Sequence, residues 1–408
     1  MAGFQSALPV AETQVGVAVE TTRGTGVAPT FWVPVMSPKY KPDLKFEPDQ
    51  TLQGSMVPIY DEIASLRNDS HGWDSYPYLD SFGVFLRAIL GSSDTLTAAP
   101  TGTTLAAAAT VGSTSIETSA SIAADSWIVI DTGVGVQETH FTTAVTGTAS
   151  PYTITLAYPL VYAHSNGATV TGLTKHQISL LNDSASTGNQ PPSVTITDYA
   201  GETNWRQLAG AQLDSLSLSG SADALPKVST SWLSYLATTP TAPTPAFSTA
   251  QAPPGWTTAL ALNGTQIAGG GDVGSSTGVL LDWSFDLKRN VKPVPAITGT
   301  QNYFQFFADT LAATSKITVL DDSAATWLDT FLAATYVSVD FTLFDVKSGF
   351  ALNLHSSKAR LMTGELDRSK EWVEVPLDVQ LLPSSTDALA GGVSPIVATV
   401  ANSMTSSY

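Results

Sequence analysis

Two distant segments share one five-residue pattern: Tyr78-Leu79-Asp80-Ser81-Phe82 and Trp327-Leu328-Asp329-Thr330-Phe331. Each follows an Asp-Ser pair suited to capping a helix: Asp69-Ser70 or the nearer Asp74-Ser75 in the first copy, Asp322-Ser323 in the second. Around the first, Tyr78/Leu79, Phe82, Phe85/Leu86 and Ile89/Leu90 recur at three- and four-residue spacing, which predicts one apolar helical face. Pro77 suits its first turn and Gly91 its end. Gly83, placed inside this helix, costs about 1 kcal/mol relative to Ala, so packing has to hold it. Ala324, Trp327/Leu328 and Phe331/Leu332 repeat the stripe. A chain that carries one unit twice has to build one fold twice, and Phe82 and Phe331 become the expected core residues of the two helices.

The surroundings of both copies predict strands. After the second come Val337–Phe344, Ala351–Leu354 and the alternation Trp372, Val373, Val375, Leu377, Val379, Leu381. After the first come Gln177–Leu181, Ser193–Thr197 and Leu213–Leu218, once residues 97–174 are set aside. Those intervening residues contain no Lys or Arg, and their only acids are Glu117, Asp125, Asp131 and Glu138. They predict short strands at Ser115–Thr118, Ser126–Asp131, Glu138–Val145 and Thr153–Leu156. A small all-β module that leaves and re-enters its host at neighbouring points, and projects from it, is the expectation.

Removing that module leaves about 330 residues, enough for two domains of roughly 165. Residues 238–256, with five prolines and no charge, read as a linker between them. The predicted fold class is therefore mainly β: two β-sandwich units, each with one packed helix, plus the inserted module. The boundaries are an N-terminal arm at 1–30, a first unit at 31–96 and 175–237, the module at 97–174, the linker at 238–256, a second unit at 257–385 and a Ser/Ala/Gly/Thr-rich tail at 386–408, read as an arm or disordered.

Charge narrows the function. Only 13% of residues are charged, and 18 Lys+Arg against 35 Asp+Glu give a formal net charge of −17. Tight nucleic-acid binding needs cations to replace counterions on phosphates, which this chain lacks. With no cysteine, neither disulfides nor thiolate metal sites can form. Met1–Glu12 lacks the basic and apolar regions of a signal peptide, and no apolar stretch is long enough to span a bilayer.

Motifs for chemistry are weak. Gly274-Ser275-Ser276-Thr277-Gly278 fits the nucleophile-elbow pattern but is followed by a strand pattern, Val279–Leu287, instead of a helix. Gly269–Gly271 lacks the Gly-Lys-Ser/Thr of a phosphate loop. His71, His140, His164, His176 and His355 show no metal-ligand spacing, and Asp321-Asp322 reads as a turn and cap. No catalytic, metal or cofactor residue is assigned, and the chain is read as a non-enzyme.

The stretch Glu20-Thr-Thr-Arg-Gly-Thr-Gly-Val-Ala-Pro-Thr30, followed by the apolar run Phe31–Val35, resembles the opening of phage tail-tube proteins. Lys370-Glu-Trp-Val-Glu-Val-Pro-Leu-Asp-Val-Gln-Leu-Leu382 is similar to their late strand. The resemblance is to the major tail-tube protein of long-tailed, siphovirus-like bacteriophages. It implies a virion tail component, assembled in the host cytoplasm, whose stacked rings form a hollow conduit for genome delivery. It further implies contacts with itself, with tape-measure and with tail-terminator or tail-tip proteins, while DNA crosses an acidic lumen without specific binding and no part enters a membrane. With two units per chain, three copies per ring are expected in place of six. Lys39, Lys41, Lys45, Glu47 and Asp49, and Lys288, Arg289 and Lys292, are the expected ring-to-ring contacts, on loops. A capsid decoration or baseplate protein is the alternative with the same composition.

Overall fold

A computed structural model describes residues 10–182, 188–200, 205–268, 279–320, 327–389 and 391–408. The chain first forms β1 (Thr13–Val19), β2 (Phe31–Val33), β3 (Lys39–Asp49), β4 (Asp61–Ser75) and helix α1 (Gly83–Leu90). Short strands follow: β5 (Thr95–Thr97), β6 (Thr103–Thr104), β7 (Ser115–Thr118), β8 (Trp127–Ile130), β9 (Glu138–Thr146) and β10 (Tyr152–Leu156). Then come β11 (Thr169–Ser179), β12 (Val194–Ala200), β13 (Arg206–Ser221) and β14 (Lys227–Ser234). Beyond the Pro-rich stretch lie β15 (Ala259–Leu262), β16 (Thr265–Ala268), β17 (Val279–Lys288), β18 (Lys292–Val294), β19 (Gln305–Phe307) and β20 (Ala312–Leu320). Helix α2 (Trp327–Leu332), β21 (Val337–Phe344), β22 (Ala351–Leu361), β23 (Glu374–Leu381) and β24 (Val397–Asn402) complete the chain. The fold is mainly β, as the alternating sequence predicts.

Two runs of antiparallel strands have the same spatial order. The first is β2-β1-β12-β13-β14-β4-β3. The second is β16-β15-β21-β22-β23-β20-β17. They join where β13 pairs antiparallel with β17, from Ser215↔Lys288 to Ser221↔Asp282. One hydrophobic core crosses this joint, from Val15 to Val400. Within it Trp73 stacks on Trp232 at 5.7 Å, and Phe341 meets Trp283 at 4.4 Å and Phe285 at 4.8 Å, so each run has its own aromatic centre.

Helix α1 differs from its prediction at the start and matches it at the end. Asp74 and Ser75 cap nothing: both lie in β4, paired with Ser229 and Val228 of β14. Tyr78–Phe82 form turns, and the helix begins only at Gly83. Gly83 therefore sits at the first turn, where the Tyr408 ring lies on it; a Cβ there would fall 2.1 Å from a ring carbon. Gly91 does end the helix, at φ +94°, with its N–H donating to the Arg87 carbonyl. Arg289 closes the same end, donating from Nε to the Ile89 carbonyl (2.7 Å) and from Nη2 to the Leu90 carbonyl (3.0 Å). Burial pushes its guanidinium down to about 10, still charged at neutral pH, where a cation suits a helix C-terminus.

The second helix is shorter. Trp327 is buried, whereas Phe331 is only half-buried, against Gly364, and Leu332 is exposed. Ala324 and the Asp322-Ser323 cap lie outside the described residues. Two terminal expectations are also corrected. The stretch 1–30, read as an arm, holds β1, buried and paired with β12 and β2. The tail after 386 holds β24, which pairs with β11 and β22, because Ile396, Ala398 and Val400 alternate into the core.

Residues 105–170 enclose a separate core of Leu105, Ile116, Ile128, Ile130, Ile154 and Val170, among others. β5 and β11 pair at the chain's departure and return (Lys175↔Thr97). The module does not simply project. Trp127, Val129 and Leu173 pack on Phe344 and Ala351 of the second run and on Ala401 of β24. Gln137 Nε2 donates to the Val346 and Lys347 carbonyls and Thr139 Oγ1 to that of Gly349.

Behind this contact runs a buried chain of imidazoles and carboxylates. His164 Nδ1 lies 2.6 Å from Asp131 and its Nε2 2.5 Å from Glu138, and His140 Nε2 meets the other Glu138 oxygen at 3.0 Å. The Val161 and Tyr162 N–H groups donate to the same carboxylate. Burial alone would raise the Glu138 carboxyl, but the bonds from His140 and His164 outweigh it and hold it at about 2. Burial would lower His164, but Glu138 and Asp131 on either side raise it above its ordinary value.

Two predictions follow from this packing. Phe82→Ala removes a fully buried ring and should cost about 3–5 kcal/mol, whereas Phe331→Ala should cost clearly less; equal denaturant midpoints for the two variants would contradict the packing described. For the module, a raised His164 contributes stability that is complete below about 6.5 and is lost as pH climbs through its folded value. A depressed Glu138 contributes stability present above about 4.5 and lost as pH falls toward 2. His164→Gln should lower module stability by about 1–3 kcal/mol at pH near 5.5 and flatten the loss toward pH 8, as read by thermal unfolding.

Candidate assembly interface

The functional surfaces of a self-assembling β protein are its sheet edges and exposed apolar patches, because unpaired N–H and C=O groups invite another chain. Among the described residues, two edges flank the sheet that the β13–β17 joint makes continuous, β3 on one side and the segment after β22 on the other.

The first is β3. It pairs with β4 from Lys39↔Gly72 to Asp49↔Asp61 and with no other strand among the described residues. Lys39, Lys41, Lys45 and Glu47 are exposed along it, with Asp49 half-buried. These residues were expected on a loop; they form a strand because Tyr40, Leu44 and Phe46 alternate with charged residues opposite β4. The hairpin closes where the Tyr60 N–H donates to the Asp49 carbonyl and the Thr51 N–H to its carboxylate. The Thr51 bond holds Asp49 below the usual carboxylate range. The outer hairpin is apolar and exposed: Phe46, Val57 and Ile63, with Leu52 99% and Met56 100% accessible. The sequence held a signal for this patch, large apolar residues inside a Gly/Ser/Pro turn stretch, but it forms no periodic pattern.

The second charged stretch is brought to the same region. Lys288 ends β17, exposed; Lys292 opens β18 and pairs with Asp309 at 2.8 Å, holding that carboxyl low. The segment between β18 and β19 reaches the hairpin, with Lys45 Nζ 6.0 Å from the Tyr303 ring centre and the Arg67 N–H donating to the Gln301 carbonyl. Arg289 departs from the expectation. It is buried under α1 with both helix carbonyls as partners, so it cannot serve a neighbouring copy.

The other open edge follows β22. Residues 362–370 continue beside β23 through the Met362 N–H to Asp378 carbonyl bond and the reciprocal Asp367–Glu374 pair. Lys370 Nζ lies 2.8 Å from Glu374, and Trp372 Nε1 donates to the same carboxylate. These bonds hold Glu374 below, and Lys370 above, their ordinary values. No strand among the described residues pairs with the outer edge of 362–370.

The motifs considered for chemistry do not converge. Gly269–Gly271, the Gly274–Gly278 string and Asp321-Asp322 lie outside the described residues. Each histidine sits beside a carboxylate at 2.5–3.6 Å, a pairing that sequence spacing could not reveal. Among the described residues, no group of three or more His, Cys, Asp or Glu is arranged to hold a metal ion, and no helix is long and apolar enough to cross a membrane.

Compared with known proteins, the sequence matches the model of one family, described as phage tail tube protein, over residues 11–400. No curated protein matches it individually.

Proposed function

The chain belongs to the phage tail tube protein family, and from that premise we propose that it carries two tail-tube units, so that three copies close one pseudo-six-fold ring. Membership makes it a structural component of a phage tail that self-assembles into a tube. It also removes the ground for a capsid-decoration or baseplate role. The observation that carries the finer reading is the identical strand order of the two runs, fused at β13–β17. In this reading β1 joins residues 31–96 and 175–237 in the first unit, 257–385 is the second, and 238–256 links them. The module 97–174 rides on the outer wall. Rings stack through the β3–β4 hairpin, whose apolar tip is flanked by Lys45, Glu47 and Asp49, and through Lys288 and Lys292. Tape-measure protein fills the lumen during assembly, terminator and tip proteins cap the ends, and the genome passes through the emptied conduit.

Charge supports the passage. The module holds four of the acids and no Lys or Arg, so most of the −17 belongs to the wall. An acidic lumen repels phosphates, whereas lysines there would add binding free energy with every contact and slow the DNA.

Electron microscopy of assembled protein should show rings of three chains with pseudo-six-fold density; six chains per ring would overturn the two-unit reading. Tubes should also hold no duplex DNA at low salt, where attraction is least screened. Retention that added salt releases would mean a basic lumen.

A further inference from the structure

We infer that neighbouring copies are joined by pairing the open edge of β3 in one copy with the open edge of residues 362–370 in the next, reproducing between chains the β13–β17 joint made within the chain. The inference rests on the ring reading above and names the surfaces that close it.

The correspondence comes from strand register. β17 pairs with β20 from Trp283↔Ile317 to Lys288↔Ala312, and β3 pairs with β4 from Lys39↔Gly72 to Leu44↔Arg67. β20 then meets β23 at Leu320↔Glu374 and Thr314↔Gln380, as β4 meets β14 at Ser75↔Val228 and Asp69↔Ser234. Lys39 through Leu44 therefore occupy the places of Trp283 through Lys288. On the other side, β23 meets β22 at Val379↔Leu361, as β14 meets β13 at Leu233↔Gln212. Residues 364–370 thus occupy the places of Ser215–Ser221, the part of β13 that receives β17. In the first run that place is filled by the chain itself. In the second it is open, and so is the β3 edge that would fill it.

Carrying the β13–β17 register across sets Asp367 opposite Lys41, with Gly364 opposite Leu44. One face of the joint then sets Asp367 opposite Lys41 and diagonal to Lys39, while Glu365 meets Asp43 directly, a like-charge contact, with Lys41 on its diagonal. The other brings Leu366 and Arg368 against Tyr40, Pro42 and Leu44, an apolar row. Opposite charges and apolar pairs across antiparallel strands are the stabilising combinations. The joint links two different surfaces, so it propagates around an axis and closes only if the rotation does. Closure pairs both the β3 edge and the 362–370 edge around the ring.

The absence of native cysteine gives a direct test. In the full chain carrying Lys41→Cys and Asp367→Cys, directly opposed residues lie within disulfide reach. Oxidation of assembled protein should give intermolecular bonds that build covalent dimers and trimers on a non-reducing gel and leave little monomer, while either single substitution gives no trimer. A second arm reverses the charges: Lys41→Asp should reduce assembly at least tenfold, and adding Asp367→Lys should restore it. Normal tubes with no intermolecular bond, and no rescue by the paired reversal, would overturn the joint while leaving the tube reading intact. Wild-type protein that stays monomeric under all assembly conditions would instead overturn the ring reading beneath it.

Discussion

Backbone hydrogen bonding along strand edges is the constraint on which this molecule depends. A sheet of this length is stable in water only if its edges are paired, covered or made unattractive. The β13–β17 joint removes two edges at once by fusing two runs of strands into one continuous surface over a shared core. Among the described residues the joined sheet still has open edges at β3 and at 362–370, and the arrangement of charge and apolar residues along those edges sets how copies can meet.

The two helices show how one sequence pattern is used with different weight. α1 is buried along nearly its whole length and is tied at its C-terminus by Gly91 and by the cation of Arg289, which arrives from the joint with the second run. The end of the helix and the junction between runs are thereby coupled through one side chain. α2 is shorter, carries an exposed Leu332, and relies on Trp327 for its anchoring. The shared five-residue pattern specifies a similar place in the strand order, not an equal burial.

The inserted module adds a second layer of organisation. It has its own core, yet it touches the second run through Trp127 and Val129 and through backbone carbonyls at Val346–Gly349. The buried His164–Glu138–His140 chain fixes the strands that present those contacts. Its charges are satisfied by one another and by backbone N–H groups, the condition under which buried ionic groups are tolerated.

The sequence by itself determined the β class, most strand positions after each repeat, the Gly91 helix stop and the acidic balance, because these follow from local periodicity, glycine conformation and residue counts. Trp372 and Val373, read into the last alternation, lie before β23. Val337–Phe344 and Ser115–Thr118 are strands at the residues the alternation marks. Only the tertiary structure decided the rest. Lys39–Asp49 is a strand because β4 lies beside it, and Arg289 is a helix cap because α1 ends above it. Residues 397–402 are core because β11 and β22 leave a gap of their length. Which residues were drawn together from far apart in the chain, and which edges were left open, depends on long-range hydrogen-bond pairing that no local pattern encodes.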